Sequence, residues 1–192
     1  EVTYSNIQAV GLPDWSEDDI RFAEAFQREM GVDVTGLADS IRDLRGPVDL
    51  SRSLGGGSDD IGDVSWNMPT VTLSYPSNMS GGPGHNWANG IAMATPIAHK
   101  GAVAGARVQA RTLLDLFLDG ETVEAAWTYF NDVQTAETVY TPFISPTDQP
   151  AIWLNEGIMA RWRPEMRPYY YDSNRFSTYL EQLGIEYPTI RT

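Results

Sequence analysis

Residues 54–85 read LGGGSDDIGDVSWNMPTVTLSYPSNMSGGPGH, and their interpretation decides the fold that we expect for the whole chain. A glycine triplet opens into acidic residues, and a second glycine-rich turn ends at His85. Between the two turns, the mainly apolar and β-branched residues 70–75 predict a largely buried strand. Carboxylates and an imidazole brought together by sharp glycine turns are typical ligands of a divalent metal. The stretch therefore predicts part of a metal site, with the acidic residues Asp59, Asp60 and Asp63.

The composition restricts both the partners and the kind of metal site. The chain has 192 residues, of which 26 are acidic and 13 basic, giving a formal net charge of -13. This charge disfavours nucleic acid and anionic membranes as partners, because both bind basic surfaces. The absence of cysteine excludes disulfides and thiolate ligands. The two histidines, His85 and His99, are too few for a self-contained histidine-rich zinc site.

Helical patterns lie on both sides of the central stretch. Residues 16–31 begin with a serine cap and three acids and predict an amphipathic helix. The strongest pattern runs over about residues 99–118, and a further helix is predicted over about residues 121–136. For residues 1–14 we expect a linker or an entering strand. Small residues would let the 99–118 helix pack closely against a sheet, namely Gly101, Ala104 and Gly105.

The candidate site residues each have two interpretations. His85 either ligates a metal or bonds to the backbone of its own loop, and spacing alone favours the second. His99, near a helix start that disfavours the imidazolium form, is either a donor or ligand, or a plain helix residue. The acids either ligate a metal, orient a ligand or cap the loop, and their spacing does not match an EF-hand. The arginine and aromatic cluster at residues 161–171 predicts surface packing rather than nucleic-acid binding.

Three motifs in order resemble a known family. They are GGGSDDIGDVSW (55–66), GGPGHNW (81–87) and AHKGAVAGARVQARTLLDL (98–116). They are similar to the end of the aminoacylase/carboxypeptidase-type zinc amidohydrolases, peptidase family M-twenty, in the p-aminobenzoyl-glutamate hydrolase branch. The resemblance implies an α/β fold, as part of a three-layer αβα zinc-exopeptidase-like catalytic domain without the lid domain. Residues 1–192 would be its C-terminal portion, with residues 1–14 entering from a missing lid and residues 140–192 forming a C-terminal extension.

The resemblance also implies roles for individual residues. His85 matches the family's late metal ligand, in a two-zinc site shared with a missing N-terminal half, where manganese or cobalt could replace zinc. Asn86 stands where the family has serine. His99 matches a histidine of this branch and would contact substrate. No catalytic residue is expected in this chain, and the family's glycine-rich loop beside the substrate corresponds to Gly57, Ser58, Asp59 and Asp60.

The implied function is hydrolysis of the amide bond of an N-acyl or aminobenzoyl amino acid. In the family, a glutamate deprotonates a water held between two zinc ions, and that glutamate lies in the N-terminal half. We therefore expect a chain that is inactive alone, needs the N-terminal half, binds a small amide substrate and forms homo-oligomers through the lid. Because it begins at Glu1, we expect it to have been trimmed, processed or excised. The alternative is a non-catalytic binding or regulatory module that keeps the fold.

Overall fold

The computed structural model describes residues 1–44, 46 and 59–190. It divides into two compact units, one containing Glu1–Tyr140 with the residues after Tyr187, and one containing Thr141–Tyr187. Within the described ranges, no helix is long and apolar enough to cross a membrane. The helices are α1 Val2–Val10, α2 Glu17–Glu29, α3 Ile61–Ser65, α4 Trp87–Ala92, α5 Pro96–Leu118, α6 Gly120–Tyr129, α7 Glu156–Met166 and α8 Tyr179–Gln182.

Helix α2 begins as the sequence predicts. The Ser16 hydroxyl accepts a hydrogen bond from the Asp19 backbone N–H at 3.2 Å, and the Asp19 carboxylate accepts one from the Ser16 N–H at 2.9 Å. This reciprocal pair is a capping box, which satisfies backbone donors that the first helical turn leaves free. The Asp19 side chain is 1% exposed and also binds the Lys100 ammonium at 2.5 Å. The cap therefore connects α2 to α5 as well as starting α2.

Residues 1–14 differ from the expected linker or strand, because they contain α1. Helix α1 packs along α5, and its Asn6 is buried there. The Asn6 amide donates to the Asp115 carboxylate at 2.6 Å and accepts from the Arg111 Nε at 3.0 Å. The partners lie more than a hundred residues away along the chain. These long-range contacts fix the position of α1 against α5. A short window of sequence cannot reveal them. The origin of the segment in a lid domain stays a prediction.

Helix α5 confirms the strongest helical pattern and begins slightly earlier than predicted. Thr95 caps it by accepting from the Ala98 N–H at 3.4 Å, and Pro96 occupies its first turn. The small residues do allow a close approach. A Cβ added to Gly101 would lie 2.1 Å from the carbonyl oxygen of Pro76, and one on Gly105 would lie 3.2 Å from the Tyr75 Cβ. The segment that passes this closely is the end of the predicted strand.

That segment is not paired as a strand. Among the described residues there is no β-strand, and residues 69–77 make no backbone–backbone hydrogen bond. A strand is defined by the ladder that it forms with a neighbour, and none of the described segments provides one. The predicted α/β class and αβα layering therefore stay predictions. The helix predicted over residues 121–136 is confirmed as α6, which continues as a π-helical turn over Phe130–Gln134.

The second unit is built around α7, which short 3-10 turns flank at Ile152–Asn155 and Arg167–Tyr169. Its closing contacts join residues after α7 to α8. The Gln182 side chain accepts from the Asp172 N–H at 2.7 Å and donates to the Tyr170 carbonyl at 2.9 Å. The rings of Tyr171 and Tyr179 meet edge to face with centroids 6.2 Å apart. The aromatic residues of this part contribute to packing, as the sequence suggests.

Candidate metal and substrate site

The predicted site is only partly within the described residues. Gly57 and Ser58, both predicted to border the substrate, lie outside them. A cavity of about 450 Å³ lies between α1, α5 and α6, and its lining does not include Asp59, Asp60, His85 or His99.

Asp59 and Asp60 lie immediately before α3 and are both exposed. The Asp59 carboxylate accepts a hydrogen bond from the Ile61 N–H at 3.0 Å, which makes it a loop cap. Asp60 is the residue before the first turn of α3, and its side chain makes no capping bond to that helix. The carboxylate of Asp60 is thus presented to solvent. A substrate-binding role for either residue stays a prediction.

Asp63 serves the packing of its own unit. Its carboxylate accepts a short hydrogen bond from the Tyr140 hydroxyl, and this bond raises the pKa of Tyr140 above its ordinary value. A second contact holds the same helix, since the Gln134 amide donates to the Ser65 carbonyl at 2.7 Å. Together these bonds attach α3 to the residues that follow α6. This tethering contact is none of the three roles that the sequence suggested for the acids, and a metal-binding role of Asp63 stays a prediction.

His85 lies in an unusual backbone conformation. Its φ is 51°, and no other non-glycine residue in the described ranges has a positive φ. Left-handed backbone is uncommon for side-chain-bearing residues and clusters at functional sites. The side chain is exposed and has no hydrogen bond to any described residue. The alternative interpretation, a histidine bonded to its own loop, therefore has no such bond to support it.

The loop that carries His85 is fixed by close packing of its glycines. Gly81 has a φ of 93°, and a Cβ there would lie 2.5 Å from the Val32 side chain. A Cβ on Gly82 would lie 3.0 Å from the Asn89 side chain and 3.3 Å from the Phe26 ring. The backbone before His85 is thus held between α2 and α4. The turn is built to present a side chain at its far end.

Asn86 stands where the family that the sequence resembles has serine. It caps α4, a role that serine can also fill. Its side-chain oxygen accepts from the Ala88 N–H at 2.9 Å and caps α4. Serine and asparagine are comparably good helix N-caps. The change therefore leaves the start of α4 intact.

His99 is the fourth residue of α5 and is exposed. Its neighbour Lys100 is the residue that binds Asp19. Throughout the ranges that the structure describes, no three metal-ligating side chains come together. His85 could supply one ligand through a free imidazole nitrogen, but the described residues do not complete a metal site. The assignments of His85 to metal and of His99 to substrate both stay predictions.

Gln27 is a positioning residue that the sequence analysis missed. Its side chain is fully buried and accepts from the Thr35 N–H at 2.9 Å and the Gly36 N–H at 2.8 Å. It also donates to the Ser80 hydroxyl at 2.8 Å, next to the glycines that lead to His85. Gln27 lies four residues after Ala23, on the buried face of α2. A polar residue at a position that the helical pattern predicts to be buried was the sequence signal for its role.

Comparison with known proteins gives a distant relative. The chain is 24% identical over 164 residues to the B subunit of p-aminobenzoyl-glutamate hydrolase from Escherichia coli (strain K12). The match covers 72% of this chain and 33% of the relative, so the chain spans about a third of that protein. No protein-family model and no solved structure matches the chain. The similarity supports the predicted relationship to amidohydrolases, whereas membership of peptidase family M-twenty stays a prediction.

Proposed function

We propose that this chain is part of a metal-dependent amidohydrolase that cleaves the amide bond of an aminobenzoyl or N-acyl amino acid. The observation that carries the proposal is the similarity to part of a hydrolase over most of this chain. The exposed, unbonded imidazole of His85 in a left-handed turn supports it. Because the chain corresponds to about a third of the relative, the remaining ligands and the general base would come from the part of the enzyme that this chain does not match.

The proposed role of each residue follows from the metal-ligating and polar side chains that are present. A bound divalent metal, zinc or alternatively manganese or cobalt, would polarise the water that attacks the amide. His85 would hold this metal, and the rigid loop before it would fix the direction of the imidazole. Asp60 and His99 would border the substrate. No described residue of this chain is assigned the role of base.

The test is co-expression of this chain with the part of the E. coli relative that it does not match. The expected result is release of glutamate from p-aminobenzoyl-glutamate, with the metal bound in stoichiometric amount. His85→Ala should remove bound metal and lower kcat/KM by about 100-fold or more. His99→Ala is the matched histidine variant, and it should raise KM while the metal content is unchanged. A His85→Ala complex with full metal and full activity would refute the assignment.

The competing proposal is a non-catalytic binding or regulatory module. It is favoured by the absence of any three-ligand cluster within the described ranges. Metal analysis of the purified complex separates the two proposals. A complex that binds p-aminobenzoyl-glutamate without metal and without hydrolysis would support the module.

A further inference from the structure

A groove runs along α7 in the second unit. Its volume is about 800 Å³, which is within the range of small-ligand sites in proteins. Its apolar lining comes from Ile152 and Trp153 in the preceding 3-10 turn and from Met159 in α7. The Glu156 N–H donates to the Trp153 carbonyl, so a backbone hydrogen bond joins the turn to the helix. This α7 groove therefore lies within one continuous segment of one compact unit.

Charges of opposite sign line the two ends of the α7 groove. Glu156 lies in the first turn of α7, whereas Arg163 lies in its last turn and Arg167 caps its C-terminal end. At a rise of about 1.5 Å per residue, Glu156 lies about 10 Å along the helix from Arg163 and about 16 Å from Arg167. The apolar side chain of Met159 lies between the charged ends. A matching ligand has a cationic end, an apolar middle and an anionic end.

The charged side chains of the α7 groove are free to bind such a ligand. Among the described residues, no hydrogen bond or ion pair engages the side chains of Glu156, Arg163 or Arg167. The two other arginines of this unit differ, because Arg161 and Arg175 each lie over a neighbouring aromatic ring, at 5.0 and 5.2 Å. Guanidinium groups bind carboxylates through charge-assisted hydrogen bonds. The two arginines available for a carboxylate are thus those that line the groove.

The same groove also offers a backbone acceptor. Pro164 lies inside α7 and has no N–H, so it donates no helical hydrogen bond to the Ala160 carbonyl four residues earlier. Both residues line the groove. A carbonyl without its helical donor is completed by an N–H from elsewhere. A ligand with amide N–H groups supplies such a donor.

We propose that the α7 groove binds a short apolar peptide with a free amino end and a free carboxyl end. Its ammonium group pairs with Glu156, and its carboxylate pairs with Arg163 and Arg167. Its apolar side chains cover Trp153, which is 67% exposed, and Met159. Covering these side chains removes apolar area from water and so favours binding. None of these residues is among those assigned above to metal or to the amide substrate, and all belong to the second unit.

The spacing of the charges sets the length of the peptide. An extended peptide spans about 3.3 Å per residue, so four residues span about 13 Å. This length lies between the two separations of Glu156 from the arginines along α7. A second copy of this chain also has matching charges, because antiparallel α7 helices would place each Glu156 beside the arginines of the other copy. The net charge of -13 on each copy opposes that association, whereas a short apolar peptide carries no net charge.

The test is isothermal titration calorimetry of the full chain with the tetrapeptide alanyl-leucyl-phenylalanyl-alanine. One peptide should bind per chain. Amidation of its carboxyl end and acetylation of its amino end should each weaken binding by about 10-fold or more, because each removes a charge-assisted hydrogen bond. The dipeptide leucyl-phenylalanine should also bind at least about 10-fold more weakly, because its length of about 7 Å cannot join both charged ends.

Variants of exposed side chains assign the two ends of the peptide. Arg163→Gln combined with Arg167→Gln should weaken binding by about 10-fold or more and remove the effect of amidation. Glu156→Gln should remove the effect of acetylation instead. Arg161→Gln and Glu165→Gln are the matched controls, because both residues lie on α7 and neither lines the groove. Both controls should bind the tetrapeptide as the wild type does.

Four results would overturn the inference. The first is no heat of binding with the tetrapeptide at millimolar concentration. The second is equal affinity of the wild type for the free and the amidated peptide. The third is wild-type affinity in the double arginine variant. The fourth is a wild-type dimer in sedimentation that the double arginine variant converts to a monomer, because the occupant would then be a second copy.

Discussion

Gly101→Ala is the sharpest test of the packing that fixes residues 75–77. The new Cβ would lie 2.1 Å from the Pro76 carbonyl oxygen and 2.5 Å from the Ser77 Cα. Because a carbon and a carbonyl oxygen rarely approach closer than about 3.3 Å, α5 or the segment must move by about 1.2 Å. Both obstacles are backbone atoms, which cannot rotate away. We expect overpacking to cost about 3 kcal/mol, at the upper end of its usual range.

The helix propensity of alanine offsets about 1 kcal/mol of this cost, so the net loss is about 2 kcal/mol. For a chain of this size that lowers Tm by about 4–8 °C. Thermal unfolding followed by circular dichroism measures the shift, and hydrogen exchange of α5 locates it. Gly90→Ala is the matched control, because a Cβ in α4 meets nothing within 4 Å there. It should raise Tm slightly, and a Gly101→Ala variant as stable as Gly90→Ala would refute the reasoning.

Three further predictions concern buried or capping groups. Asp19→Asn should cost about 2 kcal/mol in urea unfolding, because it removes the charged acceptor of the Lys100 ammonium. Exposed Asp18→Asn should change stability by less than about 1 kcal/mol. Gln27→Met should cost about 1–2 kcal/mol and speed amide exchange in residues 80–85, because it removes the acceptor of two backbone N–H groups and the donor to Ser80. The hydrogen bond from the Thr122 side chain lowers the pKa of Asp119, so the ionised cap stabilises α6 above the ordinary pKa of aspartate. This stabilisation is lost as the pH falls through the lowered pKa of the folded state, and acid titration of the helical circular dichroism signal should show the loss. Thr122→Val should make the loss smaller, because the side-chain hydrogen bond is removed.

Local signals in the sequence predicted the helices whose stability is decided locally. The capping box at Ser16 and the apolar stripe of α5 each involve residues within a few turns of each other. Short-range hydrogen bonds and side-chain period are visible in a sequence window. The close approach permitted by Gly101 was also predictable, because small residues at helical spacing imply a near neighbour.

The remaining features depend on contacts between distant residues. Helix α1 lies where it does because Asn6 bonds to residues more than a hundred positions later. The segment at residues 70–75 has β-type composition, yet only a pairing partner turns such a segment into a strand. Gln27 acts through a loop and through Ser80, which is fifty-three residues away. Sequence patterns indicated the residue types in these cases and could not indicate the partners.

The predicted site and the predicted strand are incomplete in the same way. His85 has a fixed backbone and a free imidazole, but the described residues offer no set of co-ligands. Residues 69–75 have a fixed position and a free backbone, but the described residues offer no neighbouring strand. The loop between them is held by Gly81 and Gly82 against α2 and α4, so both features belong to one packed unit. The positions of His85 and of residues 69–75 are therefore set by contacts within this chain, through Gly81 and Gly82 in one case and Gly101 and Gly105 in the other.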